Sequence, residues 1–581
     1  MIVGKNVLKR LLAYTKPHQL YVIGAFLSAI ASVVFTLFGP VLIGKGIDFI
    51  VGPGEVNYKG VLQTLAVLGL VIILSSLFQW LLTLCTNIIT YNTVKDIRVD
   101  VFNKLNKVPL KYIDLTAHGD VISRVVNDVD IISDGLLQGI TQLITGVVTI
   151  FGTLFFMLSI NPIITVVVVL LTPLSFFVAS FIAKRSHHMF TEQSATQGEL
   201  SGYIEEMIGN QKIVKTFCFE ERAQEQFEAI NARLYQSGVK AQFYSSITRP
   251  CARFINGIVY AAVGIIGAIN AINGKLSVGQ LSSFLIYANQ YTTPFNEITG
   301  VVTQMQSAIA SAERIFRVLD EEDEIQDAPG AIEMTKCQGK IDIENVSFSY
   351  SPDIKLIQNL NLSVEPGAKI AIVGPTGCGK TTFINLLMRF YDVSEGKIKI
   401  DGIDINTLKR NSLRSMYGMV LQETWLYSAT VRDNIAYGKP DATEEEIIEA
   451  SKMAYCHEFI QRLPEGYDTI ISEDGNNISH GQKQLLCIAR IMLVQPPMLI
   501  LDEATSSIDT MTEQRVQEAF QALMKGRTSF VVAHRLSTIQ GADMILVMDK
   551  GNIIEQGTHT QLLAEGGFYY SLYNSQFAQT L

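Results

Sequence analysis

Six almost unbroken apolar stretches lie between positions 20 and 302, at roughly 20–43, 61–86, 136–159, 163–183, 254–272 and 279–302. At 1.5 Å per helical residue each can cross about 30 Å of hydrocarbon, so each is predicted as a membrane helix. The first follows Lys5, Lys9, Arg10 and Lys16. Such a basic start also marks secretory leaders, but the apolar run is too long for one and reads as a retained span. An acidic stretch from Asp320 to Asp327, then Pro329-Gly330, reads as a linker. Beyond it the period changes: short β-rich runs at 341–350, 369–373, 498–501, 529–533 and 544–548 alternate with helical ones, the pattern of an α/β domain. The chain divides into a helical membrane domain over 1–320, a linker over 321–338 and an α/β domain over 339–581.

Charge then orients the spans. Lys and Arg crowd the N-terminus, the segment 87–135 (Lys95, Arg98, Lys104, Lys107, Lys111, Arg124) and the segment 184–253 (Lys184, Arg185, Lys212, Lys215). The alternate connections, near Gly52, at Asn161-Pro162 and at Asn273-Gly274-Lys275, are short and poor in charge. The basic excess places the N-terminus, both long segments and the α/β domain in the cytoplasm. Those segments lack Gly/Pro clusters, so the membrane helices are expected to extend into the cytoplasm.

Composition agrees. Hydrophobic residues make up 48% and charged residues 17%, with a mean hydropathy of +0.26, where soluble chains carry about 25% charge. Residues 1–320 hold 24 Lys and Arg against 20 Asp and Glu, and residues 321–581 hold 22 against 35. The acidic second half offers no electrostatic footprint for nucleic acid, which is excluded as a partner. Seven scattered cysteines form no C-x-x-C pair and no zinc-ligand spacing, so neither a disulfide framework nor a metal cluster is expected.

The chemistry lies in the α/β half. Gly374-Pro375-Thr376-Gly377-Cys378-Gly379-Lys380-Thr381 fits G-x-x-x-x-G-K-[ST] between an apolar strand and a helical run that opens with Thr382. In such a loop the glycines let backbone N–H groups close around phosphate oxygens, Lys380 reaches the terminal phosphates and Thr381 can ligate Mg²⁺. A later strand ends in Asp502-Glu503. Two carboxylates at the C-terminal edge of a parallel strand can hold hydrated Mg²⁺ and polarise an attacking water, or can simply cap a following helix.

Further along stand Tyr350 in Phe348-Ser349-Tyr350, Gln422 in Val420-Leu421-Gln422-Glu423, Ile478-Ser479-His480-Gly481-Gln482, Ser506-Ser507-Ile508-Asp509 and Ala533-His534-Arg535. With the phosphate loop, in this order and spacing, they resemble a half-transporter of the ATP-binding cassette exporter family over essentially the whole chain. The resemblance implies an all-α six-helix transmembrane domain followed by an α/β P-loop nucleotide-binding domain, with ATP and Mg²⁺ as cofactors. It implies that Tyr350 stacks on adenine, with Gly374 to Thr382, Gln422 and Asp502 completing the ATP site. Lys380, Gln422, Glu503 and His534 would form the catalytic set, Thr381, Gln422 and Asp502 the Mg²⁺ ligands, and Asp509 the D-loop. Ser479, His480, Gly481 and Gln482 occupy the signature position, which acts on ATP bound by a second half-transporter.

His480 stands where the family has glycine. Either the change is tolerated, since a helix N-terminus presents its N–H groups whatever the side chain, or it marks an asymmetric heterodimer with one weakly hydrolysing site. The heterodimer is the favoured expectation, a homodimer the alternative. Coupling helices are expected around 115–119 and 212–219. For the transported compound, Gln79, Asn256, Asn289, Gln290, Asn296 and Glu297 are the polar groups in or near the spans, with interhelical hydrogen bonding as their ordinary role. Glu297, Gln290 and Gln79 are the cavity candidates. The expected function is ATP-driven export or flopping of amphipathic compounds, drugs or lipids, across a bacterial plasma membrane. The alternatives are a dedicated peptide or lipid exporter, or a non-transporting ATP-gated regulator, which an intact Glu503 disfavours.

Overall fold

The computed structural model describes residues 2–50, 56–351, 356–421, 424–472, 477–502, 510–532 and 536–576, with the side chains of 2–5, 140, 173–188, 248–249, 252, 296, 298–299, 302–303, 510, 536–537 and 576 outside the description. The chain forms two units: Met1–Val108 with Thr116–Glu322, and Pro109–Leu115 with Asp323–Leu581.

The first unit is helical. Each apolar stretch falls inside one long helix: Gln19–Asp48, Tyr58–Leu105, Val129–Ile160, Pro162–Gly209, Glu220–Ile272 and Val278–Leu319. Their starts are written locally. Asn57 caps the second by accepting from Gly60 N at 2.9 Å. Asn161 accepts from Ile163 N and Ile164 N ahead of a helix that opens on Pro162, and Ser277 with Gln280 forms a capping box. Among the described residues four stretches are long and apolar enough to span a bilayer, Lys16–Asp48, Tyr58–Leu105, His118–Ile160 and Arg253–Ile272, and Pro162–Thr172 is a shorter apolar run.

Val278–Leu319 is not in that set, because Asn289, Gln290, Thr292 and Thr293 interrupt its apolar face. It buries Phe284, Tyr287, Ala288 and Tyr291 in the core and satisfies its polar atoms across helices, with Ser283 donating to Pro40 O at 2.7 Å and Tyr287 to Leu37 O. The same helix meets Gln19–Asp48 at near backbone contact. A Cβ on Gly44 would lie 2.5 Å from Gly279 O, and Asp48 accepts from Ser277 Oγ and Gly279 N, both at 2.7 Å.

Two features go beyond the sequence reading. Two short helices, Leu110–Leu115 and His118–Ser123, overlap the ends of the stretch expected around 115–119, and the segment Pro109–Leu115 clusters with the second unit although both flanks belong to the first. The acidic linker is tied to its own unit: Arg414 reaches Glu324, and Arg410 reaches Ile325 O and Asp327. The second expected coupling segment is helical over Gln211–Thr216.

The second unit has two sheets. Strands β1 (Ile341–Phe348), β2 (Ile357–Val364), β4 (Glu395–Ile400) and β5 (Ile403–Asp404) form an antiparallel sheet in the order β2-β1-β4-β5. The other runs β10-β9-β3-β8-β7-β6, from β3 (Lys369–Val373), β6 (Tyr417–Val420), β7 (Met498–Asp502), β8 (Thr528–Val532), β9 (Met544–Asp549) and β10 (Asn552–Gly557). All its neighbours pair in parallel except β10 with β9. Continuous apolar runs such as Met498 to Leu501 of β7, buried at all four positions, are what a sheet covered on both faces requires.

Candidate functional site

Register brings the motifs to one edge. Val420 pairs with Leu501, Asp502 with Val532, and Ile372 with Val532. Strands β3, β6, β7 and β8 therefore end together, and the segments leading to the phosphate loop, Gln422, Glu503 and His534 all leave from the C-terminal edge where open parallel sheets bind ligands. Gln422, Glu503, Asp509 and His534 themselves lie outside the described residues. Asp502 is described, half-buried at the tip of β7.

The phosphate loop connects β3 to the helix Lys380–Leu387. Gly374, Gly377 and Gly379 have φ of +154°, +81° and +103°. At Gly374 a side chain is also excluded by space, since a Cβ would lie 2.3 Å from Met548 O. Among the described residues the backbone N–H groups of Gly377 and Gly379 have no hydrogen-bond partner, and no atom lies within 4 Å of a Cβ built on Gly377. Such orphan donors at a helix N-terminus form an anion cradle. Lys380 Nζ crosses the loop, donating to Gly374 O at 2.9 Å and Pro375 O at 3.1 Å. Its third donor meets only the weakly accepting Cys378 Sγ at 3.8 Å, a contact that a phosphate oxygen can replace. Pro375 and Thr376 form the exposed lip. Cys378 is buried in the core below.

Tyr350 follows β1 with its ring 42% exposed. It meets Phe348 edge-on at 4.9 Å and Tyr391 at 5.0 Å, a platform that leaves aromatic surface for a base. Its hydroxyl donates to Thr382 Oγ1 at 3.2 Å. Thr382 is buried, so its hydroxyl ties the platform to the phosphate-loop helix. Tyr391 and Asn385 at 3.5 Å from the Tyr350 hydroxyl are neighbours that no local motif announces.

Chemically the donor set suits Mg²⁺. The cation keeps waters and phosphate oxygens and needs only one or two protein oxygens. Thr381, at the helix start, and Asp502, at the same sheet edge, supply hard oxygens, and no larger cluster of metal-ligating side chains occurs among the described residues.

In the signature segment, Ser479 is the N-cap of the helix His480–Val494. Its hydroxyl accepts from Gln482 N at 3.3 Å, and Gln482 Oε1 accepts from Ser479 N at 2.8 Å. Serine still has its O–H to donate and Gln482 its amide N–H₂. His480 is exposed in the first helical turn. Its backbone is helical, so replacing glycine there brings no strain. Gly481 is buried.

The membrane candidates separate. Gln79 accepts from Ser32 Oγ at 3.2 Å, an interhelical bond. Gln290 Oε1 and Asn256 Oδ1 are buried without a hydrogen-bond partner. Glu297 and Asn289 are exposed, and the side chain of Asn296 is outside the described residues.

A phosphate loop at the edge of a parallel sheet, an aromatic platform beside it and a capped signature helix define a nucleoside triphosphate-binding cassette in a chain that also carries a bundle of membrane-length helices. The ABC transporter transmembrane region family matches residues 22–295, and the ABC transporter family matches 357–506. The chain is 42% identical over 91% of its length to the "Fatty acid ABC transporter ATP-binding/permease protein" of Mycobacterium bovis, covering 83% of that protein. It is 35% identical to the "ATP-dependent lipid A-core flippase" of Syntrophus aciditrophicus, covering 99% of this chain and 95% of that one. Among solved structures, one titled "Structure of a bacterial Atm1-family ABC exporter with ATP bound" superposes with a TM-score of 0.78 at 29% identity, covering 96% of this chain and 98% of that one.

The chain belongs to the ABC transporter family. It is a membrane-embedded ABC exporter that binds ATP and couples its hydrolysis to transport. One membrane unit and one cassette make it a half-transporter, which works as a dimer.

Proposed function

We propose that this half-transporter exports or flops acyl-bearing or otherwise amphipathic compounds from the cytoplasmic side, pairing with a second, non-identical half-transporter. The observation that carries the reading is the phosphate loop, whose Gly377 and Gly379 N–H groups have no partner at the edge from which the other motif segments depart. Lys380 and those N–H groups hold the β- and γ-phosphates, Tyr350 supports adenine, and Thr381, Gln422 and Asp502 hold Mg²⁺, which supplies charge neutralisation between the phosphates. Glu503 polarises the attacking water, and His534 contacts the γ-phosphate. Ser479 and Gln482 donate to ATP on the partner's loop, while His480 narrows that approach. Asp509 serves as the D-loop residue.

ATP joining two cassettes and leaving on hydrolysis shifts a two-state membrane unit only through its differential binding to the two states. The basic segments lie in the cytoplasm with the cassette, in a bacterial plasma membrane. Relatives named for fatty acid transport and for lipid A-core flipping support an acyl-bearing cargo, and the buried, unpartnered Gln290 oxygen supports a polar contact within the bundle.

Purified alone in nanodiscs, the chain is expected to hydrolyse ATP weakly and to gain turnover when co-expressed with its partner. Glu503→Gln should then trap ATP with Mg²⁺ present. Full stimulated turnover by the single chain would replace the heterodimer with a homodimer, and absence of any Mg²⁺-dependent hydrolysis would remove the proposal.

A further inference from the structure

Tyr391 has no place in the phosphate-binding or catalytic set, yet it touches the base platform on one side and a distant segment of chain on the other. Its ring stands nearly perpendicular to Tyr350, at 5.0 Å and 89°, and at 5.8 Å from Phe348. Its hydroxyl donates to Asp114 Oδ2 at 2.6 Å, the short distance of a charge-assisted bond. Burial first, then that bond and the Asp114 charge, push the phenol well above its ordinary value, so it remains a donor at neutral pH. Asp114 sits on the helix Leu110–Leu115, in the segment Pro109–Leu115 that clusters with the cassette while its flanking residues Val108 and Thr116 belong to the membrane unit.

We propose that Tyr391 is a positioning residue that couples adenine stacking on Tyr350 to the Pro109–Leu115 segment, so that the segment reads the base of the nucleotide as well as its phosphates. The inference rests on Tyr350 being the base platform. Tyr350 is held at its hydroxyl by Thr382 and on its ring by Phe348 and Tyr391. Of these, only Tyr391 is bonded to a segment continuous at both ends with the membrane unit. A displacement of Asp114 that moves Tyr391 changes the angle at which Tyr350 meets a base. By linkage, a base seated on Tyr350 biases the position of Asp114 to the same extent. The phosphate-loop helix meets Tyr350 separately, at its hydroxyl through Thr382.

The test uses the full-length chain in nanodiscs with its partner. ATP is the varied substrate and inorganic tripolyphosphate, which has phosphates but no base, is the competitive inhibitor. Tyr391→Phe keeps both ring contacts and removes only the hydroxyl. It is expected to raise KM for ATP about three- to tenfold and to leave the inhibition constant of tripolyphosphate unchanged. Asp114→Ala should do the same, the double variant should be no worse than either single one, and Asp114→Asn, which keeps an acceptor oxygen, should restore most of the loss.

Equal weakening of ATP and tripolyphosphate, or additive effects of the two single variants, would overturn the proposal. So would an unchanged KM in Tyr391→Phe when Tyr350→Leu raises it. If Tyr350→Leu itself leaves KM unchanged, the base platform is wrong, and that failure is separate from a failure of the Tyr391 link.

Discussion

Arg414 donates to Glu324 at 2.6 Å, which fastens the acidic stretch after the last long helix to the cassette. Arg410, buried beside it, donates through its backbone N–H to both carboxylate oxygens of Asp327 and through its guanidinium to Ile325 O and Asp392. At the preceding end of the linker, Arg10 makes two bonds to Asp320, at 2.6 and 2.7 Å, and lies over the Phe316 ring. Arg10 thus holds the end of the first unit's last helix, and Arg410 and Arg414 hold the acidic stretch within the second unit.

Arg410→Ala should therefore destabilise the cassette by roughly 2 kcal/mol. It removes the guanidinium bonds to Ile325 O, Asp327 and Asp392, while Arg389, 2.9 Å from Asp392, the retained backbone N–H at Asp327 and the partial exposure of both acids keep the cost below that of an unpaired buried charge. Denaturant unfolding of the detergent-solubilised chain, followed by near-UV circular dichroism, checks this. A midpoint within error of the unsubstituted chain would show that the contacts contribute nothing to stability.

In the membrane unit, Gly44→Ala places a methyl where Ser283 Oγ and Gly279 O would lie 2.1 and 2.5 Å away. One of those neighbours is backbone and cannot rotate aside. Overpacking of that kind costs about 1–3 kcal/mol, and separation of the helices would also strain the Asp48 bonds to Ser277 and Gly279. Thermal unfolding in detergent should show the loss, whereas Gly39→Ala, with nothing within 4 Å of its Cβ, should not.

What could be read from the sequence was local. The phosphate loop was legible because glycine at 374, 377 and 379 answers a backbone requirement, and the Asn161-Pro162 connection because the Asn161 side chain bonds to residues two and three positions on. Tyr391 with Asp114, 277 residues apart, and Arg410 with Asp327, 83 apart, leave no periodic trace, so neither contact was expected. Thr382 was expected among the ATP ligands by its place in the motif, and its hydroxyl bonds Tyr350, a pairing set only by how β1 packs near the loop.

Lys380→Ala should lower ATP turnover by about 10²–10³, the usual effect of deleting one preorganised donor to a developing anion. The glycine backbone should still fold, since Lys380 bonds only atoms of the loop itself, the Gly374 and Pro375 carbonyls and Cys378 Sγ. Steady-state hydrolysis of the partnered transporter measures it, and a loss smaller than tenfold would mean that Lys380 does not reach the phosphates.

Alkylation provides an independent check on the cassette core. Cys337 is half-buried, and burial, followed by the nearby Asp401 carboxylate, pushes its thiol up to about 12. Burial likewise pushes Cys456 to about 12. Because the thiolate is the reactive form, iodoacetamide at pH 8 should label exposed Cys218 and spare Cys337. As pH rises towards 10, labelling of Cys337 should accelerate about tenfold per pH unit, since its thiolate fraction grows in that proportion. Peptide mass spectrometry of the native protein reads both rates, and fast labelling of Cys337 at pH 8 would contradict its environment.

The cargo site is approached through two residues on one helix. Gln290 Oε1 is buried with no hydrogen-bond partner, whereas Glu297, past Pro294, is exposed. An unpaired buried amide oxygen costs about 1–3 kcal/mol. Gln290→Leu should therefore leave the fold at least as stable and, if the oxygen is kept for cargo, reduce transport. Glu297→Gln removes one negative charge and should weaken export of a lipophilic cation such as tetraphenylphosphonium while sparing a neutral lipid analogue. Both are measured in proteoliposomes with ATP outside and accessible cassettes. Equal loss of cation and neutral export in Glu297→Gln would assign that carboxylate a structural role, and unchanged transport in Gln290→Leu would place the cargo path elsewhere in the bundle.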